Sequence, residues 1–106
     1  MKLYVVAEIE ITDRSWVEPY VLNVTKMVER HGGRYLARTN KIEPLEGDGA
    51  KPQIMLLLEW PDRASIDAFY DSEEYRPYRE SRVRGAKNRF FIVAGEDMAR
   101  QATIAD

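Results

Sequence analysis

The segment QIMLLLEW, residues 53–60, constrains the fold more than any other part of the chain. In an extended conformation Ile54, Leu56, Leu58 and Trp60 fall on one side and Met55 and Leu57 on the other, so this strand is apolar on both faces. Pro61 and Asp62 then stop it. Leu3 to Ile11 reads similarly, with Leu3, Val5, Ala7, Ile9 and Ile11 on one face and Tyr4, Val6, Glu8 and Glu10 on the other. A third such strand, NRFFIVAG (88–95), puts Phe91 and Val93 on its second face. Gly33 to Leu45 has mixed faces and suits a sheet edge.

Helical signals separate these strands. Trp16, Tyr20, Val24, Met27 and Val28 recur at helical spacing, with Thr12 or Asp13 as an N-cap and Gly32 just beyond the last turn. Pro19 requires either a kink or a helix that begins there. Pro61 and Asp62 also cap a second helix, in which Ala64, Ile66, Phe69 and Tyr70 form an apolar stripe. Asp71 and Ser72 break it, and Ser72 can cap a further helix. The segment EGDGAKP (46–52) is a turn-rich loop, and residues 96–106 read as a polar tail after a domain spanning 1–95.

The order β-α-β-β-α-β is the split βαβ pattern of ferredoxin-like α+β folds, with strands one and three in the centre of a four-stranded antiparallel sheet. Helices cover one face only. Three strands are nevertheless apolar on both, and an open second face would exceed the apolar patch that monomers tolerate. A second copy packed sheet to sheet about a two-fold axis covers it, so a homodimer is expected.

Composition narrows the chemistry. The 106 residues suit one domain, and 44% apolar with 32% charged residues fits a soluble globular protein. No apolar run approaches a bilayer span, and the N-terminus reads as a strand rather than a signal peptide; the expectation is a cytoplasmic protein without a membrane partner. No cysteine and one histidine leave too few donors for a protein-built zinc or iron site, and no cofactor or metal is expected. Six basic residues crowd between Arg76 and Arg89, but the net charge is −2, and the third strand lacks the aromatic RNA-binding motif. Nucleic acid is not an expected partner. The arginines form either a solvated helix face or a lure for a small anion.

The stretches YVVAEIEITD (4–13), HGGRYLAR (31–38), LLLEWPD (56–62), FYDSEEYRPYRESR (69–82) and FFIVAG (90–95) resemble the bacterial domain-of-unknown-function family 1330, of the dimeric α+β barrel superfamily. The resemblance implies the fold and dimerisation over residues 3–95, but no reaction. Superfamily members include cofactor-independent quinol monooxygenases, muconolactone isomerases and haem-dependent peroxidases. Relatives often follow the arginine at 38 with two glycines; here Thr39 and Asn40 stand instead.

Two residues are candidates for catalysis. His31 is either a proton-moving base or the tail of a helix that Gly32 or Gly33 caps. Arg38, placed by simple alternation on the face of Arg34 and Leu36, is either a carboxylate- or enolate-binding fork or an edge-strand charge. Tyr35, Trp60, Tyr70, Ser72 and Tyr75 are candidate substrate contacts, with core packing and, for Ser72, helix capping as the other readings. The function expected is a cofactor-free small-molecule enzyme of isomerase or monooxygenase type with an apolar pocket for a small aromatic or anionic ligand. The alternative is a non-catalytic dimeric module that binds a small ligand or a protein.

Overall fold

The computed structural model describes residues 1–105; Asp106, the last residue of the expected tail, lies outside them. Its elements are β1 (Leu3–Ile11), α1 (Val17–Arg30), β2 (Arg34–Thr39), β3 (Ile54–Trp60), α2 (Arg63–Tyr70), α3 (Arg76–Gly85) and β4 (Ala86–Ala94). The sheet order is β2-β3-β1-β4, with all pairs antiparallel. The two strands with the strongest two-sided apolar pattern are therefore the central ones. The second crossover consists of two helices, broken after Tyr70 as Asp71 and Ser72 lead one to expect.

Pairing fixes the faces. Val5 opposes Leu58 and Ile92, and Ala7 opposes Leu56 and Phe90; Val5, Ala7, Leu56 and Leu58 are buried under the helices with Val24, Met27, Val28, Ile66 and Phe69. On the other face Val6 lies between Leu57 and Phe91, and Tyr4 between Glu59 and Val93. Leu57, Phe91 and Val93 remain 37%, 42% and 45% exposed in the single chain, which is too much apolar surface for a sheet that holds Ala7 at 0% on its other side.

Local chemistry explains the helix ends, with one correction. Neither Thr12 nor Asp13 caps α1: Asp13 Oδ1 accepts from the Ser15 amide at 2.9 Å, a turn of its own, and the cap position falls to Trp16. Pro19 then occupies the first helical turn, where the missing N–H has no intrahelical partner to lose. Asp62 caps α2 as expected, accepting from the Ser65 amide at 2.8 Å. Gly85 ends α3 and leads into β4 without a loop. Its carbonyl accepts from the amides of Thr12 and Asp13 and from the Trp16 indole, fastening the β1–α1 connection to the far end of the chain.

β2 is shorter than expected, ending at Thr39, and it contains a β-bulge. Tyr35 opposes Leu58 while Ala37 opposes Leu57, so Leu36 is an extra residue with no partner. The bulge overturns the placement by simple alternation: Arg38 opposes Leu56 and lies with Tyr35 on the helix-facing side, while Arg34 opposes Glu59 on the other. After β4, Asp97 accepts from the amides of Ala99, Gln101 and Ala102, which turns the tail back on itself.

Candidate functional site

Between the helix-facing side of the sheet and α1 and α2 lies a cleft of about 440 Å³. Val5, Ile9, Ile54, Leu56 and Leu58 form its floor, and Val17, Tyr20, Val21 and Val24 its α1 wall. Trp60, Ile66, Phe69, Tyr75 and Phe90 line its inner reach, and the more exposed Tyr70 also belongs to the lining. Of the seven residues singled out from sequence, Tyr35, Arg38, Trp60, Tyr70 and Tyr75 lie in this lining.

The other two do not. His31 is the C-cap of α1, where its Nδ1 donates to the Met27 carbonyl at 2.8 Å and its ring meets the edge of Phe69. The turn beyond is made by Gly32 at φ +94, and the His-Gly-Gly run forms the end of the helix. Ser72 accepts from the Tyr75 amide at 3.2 Å and donates to the Phe69 carbonyl at 2.8 Å, which positions Tyr75 but points nothing into the cleft.

At the mouth, Arg38 is held from two sides. Its Nη1 donates to Thr25 Oγ1 of α1 at 3.0 Å, and its guanidinium lies 4.6 Å from the centre of the Tyr35 ring. Burial pushes the Tyr35 phenol up, with the Arg38 charge and Thr25 acting against that shift. Arg38 has no carboxylate within ion-pair distance among the described residues. The cleft lining contains no aspartate, glutamate or histidine, so the charge it presents is positive.

The inner wall contains a cluster that sequence reasoning missed. Tyr20 of α1 and Tyr75 place their hydroxyls 2.6 Å apart. Arg82 of α3, only 2% exposed, donates from Nε to the Tyr20 oxygen at 3.2 Å and from Nη2 to the Tyr75 oxygen at 3.3 Å. Its guanidinium sits 4.3 Å from the centre of the Phe90 ring. Burial, and next to it Tyr75, raise the Tyr20 phenol well above the ordinary tyrosine value. Burial opposes the Arg82 charge, yet the two phenols together hold it above the ordinary arginine value. The available signal was weak: Tyr20 belonged to the α1 stripe, and Arg82 was one of six basic residues in a run. Phe69 joins this cluster to Trp60 by ring contacts of 4.3 and 5.6 Å.

No cluster of three or more histidine, cysteine, aspartate or glutamate side chains suited to a metal ion occurs among the described residues, and no described helix is long and apolar enough to cross a membrane.

Solved structures share this fold. A protein of unknown function from Rhodopseudomonas palustris, RPA0582, superposes with a TM-score of 0.73 at 14% identity, over 87% of this chain and 80% of that one. SnoaB, a cofactor-independent oxygenase from Streptomyces nogalater, superposes at 0.65 with 9% identity over 94% and 98%. A protein described as an antibiotic biosynthesis monooxygenase superposes at 0.59 with 15% identity over 92% and 100%. At such identities the likeness is one of fold. No functionally curated protein matches the sequence. The family, by contrast, is matched over residues 2–96, nearly the full length: the chain belongs to the domain of unknown function family DUF1330.

Proposed function

We propose that this chain is a cofactor-free small-molecule enzyme of isomerase or monooxygenase type, whose cleft takes a planar aromatic or conjugated ligand with an anionic oxygen. One observation carries the reading: a cleft walled by aliphatic and aromatic side chains has at its mouth a guanidinium, Arg38, held by Thr25 and Tyr35 and free of any carboxylate. The apolar walls exclude water and strengthen the electrostatic pull of that charge. The planar fork matches a carboxylate or enolate oxygen. The lining has no acidic or histidine side chain to serve as base, so the reaction suits a substrate that is itself acidic and whose anion Arg38 stabilises. The fold shared with a cofactor-independent oxygenase and with an antibiotic biosynthesis monooxygenase supports that chemistry.

The working unit we infer is a two-fold dimer joined through the outer sheet face. The chain has a radius of gyration of 14.8 Å, against about 13 Å for a globule of this length. It is a slab 16 Å thin, helices on one side and bare apolar sheet on the other. A second sheet packed at about 10 Å supplies the missing layer.

Thermal shift tests the cleft. Aromatic carboxylates, quinols and lactones are screened against wild type and Arg38→Ala; a ligand at a hundred times its Kd adds about 2.7 kcal/mol of stability, and an acidic ligand's shift should vanish in the variant. If no class stabilises wild type, the reading fails. The second reading, a non-catalytic binding module, is favoured by the position of His31 outside the cleft, bonded to its own helix. Ligands that bind through Arg38 but return unchanged from prolonged incubation in air would select it.

A further inference from the structure

The phenol pair on the inner wall has a proton that the protein does not use. Tyr20 and Tyr75 own one hydroxyl proton each, and only one of the two can occupy the 2.6 Å bond between their oxygens. The other neighbours of both oxygens are Arg82 N–H groups at 3.2 and 3.3 Å, which only donate. Whichever way the pair is oriented, the second proton meets no acceptor among the described residues. The indole Nε1 of Trp60, a residue 1% exposed that stacks on Phe69 next to Tyr75, is likewise buried without an acceptor.

The charge count agrees with the proton count. Arg82 is buried with no carboxylate within ion-pair distance among the described residues, and an unpaired buried cation is costly unless something negative approaches it. A cluster serving stability alone would set an acid beside Arg82, whose charge is here met only by the two phenol oxygens and the Phe90 ring. Instead it offers a positive charge, an unused O–H and an unused N–H, with no acceptor for them.

We propose that the Tyr20–Tyr75 pair, backed by Arg82, donates its one unused O–H to the ionised oxygen of the cleft's ligand, a phenolate or an enolate. This rests on the cleft being a small-molecule site and adds the class of group recognised at its inner end. Arg82 does not line the cleft, so its fork cannot grip a carboxylate there; single O–H donors suit a single-atom oxyanion. Arg82 is the positioning residue: it orients both phenol oxygens and favours anionic character beside them. Carboxylate recognition belongs to Arg38 at the mouth.

The probes are para-nitrophenol and nitrobenzene, of similar shape but differing in an ionisable oxygen, and the readout is the visible absorbance of the bound phenolate across pH. In Arg38→Ala, which leaves the inner wall intact, bound nitrophenol should ionise about one pH unit below its free value, a tenfold preference for the anion. Adding Tyr20→Phe and Tyr75→Phe together should abolish that shift while nitrobenzene binding persists, which also shows that the cleft is intact. Arg82→Lys should retain part of the shift and Arg82→Met lose it; this pair serves if the double phenylalanine variant does not melt cooperatively. A shift that survives removal of both phenols, or no shift when nitrobenzene binds, overturns the oxyanion site and leaves the cleft standing. Failure of wild type to bind either probe overturns the oxyanion site, and if no carboxylate, quinol or lactone stabilises wild type either, the cleft reading falls with it.

Discussion

Replacing Gly33 by alanine tests how the strand entering the site is packed. An added Cβ would lie 2.6 Å from Val28 Cγ1 and 2.8 and 2.9 Å from Cζ2 and Cη2 of Trp60, against the roughly 3.5–4.0 Å of ordinary carbon contacts. Val28 and Trp60 are 2% and 1% exposed, so neither has free space to move into. Overpacking of this kind costs typically about 1–3 kcal/mol. In a domain of this size about 2 kcal/mol lowers Tm by roughly 10 °C. Gly32→Ala is the contrast: its nearest neighbour is Pro61 at 3.5 Å, and its φ of +94 is what resists a side chain. Circular-dichroism melts of both variants, each alone and combined with Val28→Ala, separate the causes. Gly33→Ala should couple to Val28→Ala by more than about 0.5 kcal/mol, because the truncation removes the clashing methyl, whereas Gly32→Ala should be additive within that margin. The indole also walls the cleft, so Gly33→Ala should weaken ligand binding beyond its effect on Tm. A Gly33→Ala protein that melts with wild type, or strict additivity with Val28→Ala, would refute the packing argument.

His31→Ala removes the bond to Met27 and the contact with Phe69, and should cost about 1 kcal/mol in denaturant titrations while leaving ligand affinity unchanged; a selective loss of turnover would instead make His31 catalytic. Tyr20 tests alkaline stability. Its folded-state proton is held above the ordinary value, so the unfolded chain releases its proton first, at about pH 10, and each further unit removes about 1.4 kcal/mol until the folded phenol ionises too. Tyr20→Phe should therefore flatten the fall in stability above that pH, and an unchanged slope would contradict the burial of the phenol. On the outer sheet face, Leu57→Lys should halve the sedimenting mass at micromolar concentration, and a wild type that already sediments as a single chain would exclude the sheet-to-sheet pair.

How much of this was legible depends on whether the signal is local. The apolar residues on both faces of Ile54 to Trp60 and of the first half of Leu3 to Ile11 are a local signal, and the central placement of β1 and β3 agrees with it. The Asp62 cap was legible because carboxylate and amide are three residues apart. The Tyr20–Arg82 contact joins residues 62 positions apart. Nothing near Arg82 distinguishes it from Arg79 or Arg84, because burial of one arginine in a basic run is decided by which helix face meets Phe90 and the two phenols. Tyr35 and Arg38 were named, but the side on which Arg38 stands was not legible, since no glycine marks the bulge at Leu36.

That bulge connects the cleft to the opposite face of the sheet. In a regular β2 strand, Ala37 would follow Tyr35 onto the helix side and Arg38 would project with Arg34 and Leu36 beside Met55. A guanidinium there would sit on the apolar face that the proposed second copy must cover, where an unpaired charge is costly to bury, and the cleft would lose the cation at its mouth. The unpaired Leu36 reverses both outcomes: Arg38 turns toward Thr25 and Tyr35, while Ala37 and Thr39, opposite Leu57 and Met55, add no charge to the outer face, where the strand's one charge, Arg34, is paired with Glu59. An edge strand can accommodate such an insertion because only one neighbour has to absorb the lost register. One residue thus determines the charge inside the cleft and preserves the apolar surface outside it, so selection for a cationic site and for a self-associating sheet would act on the same bulge.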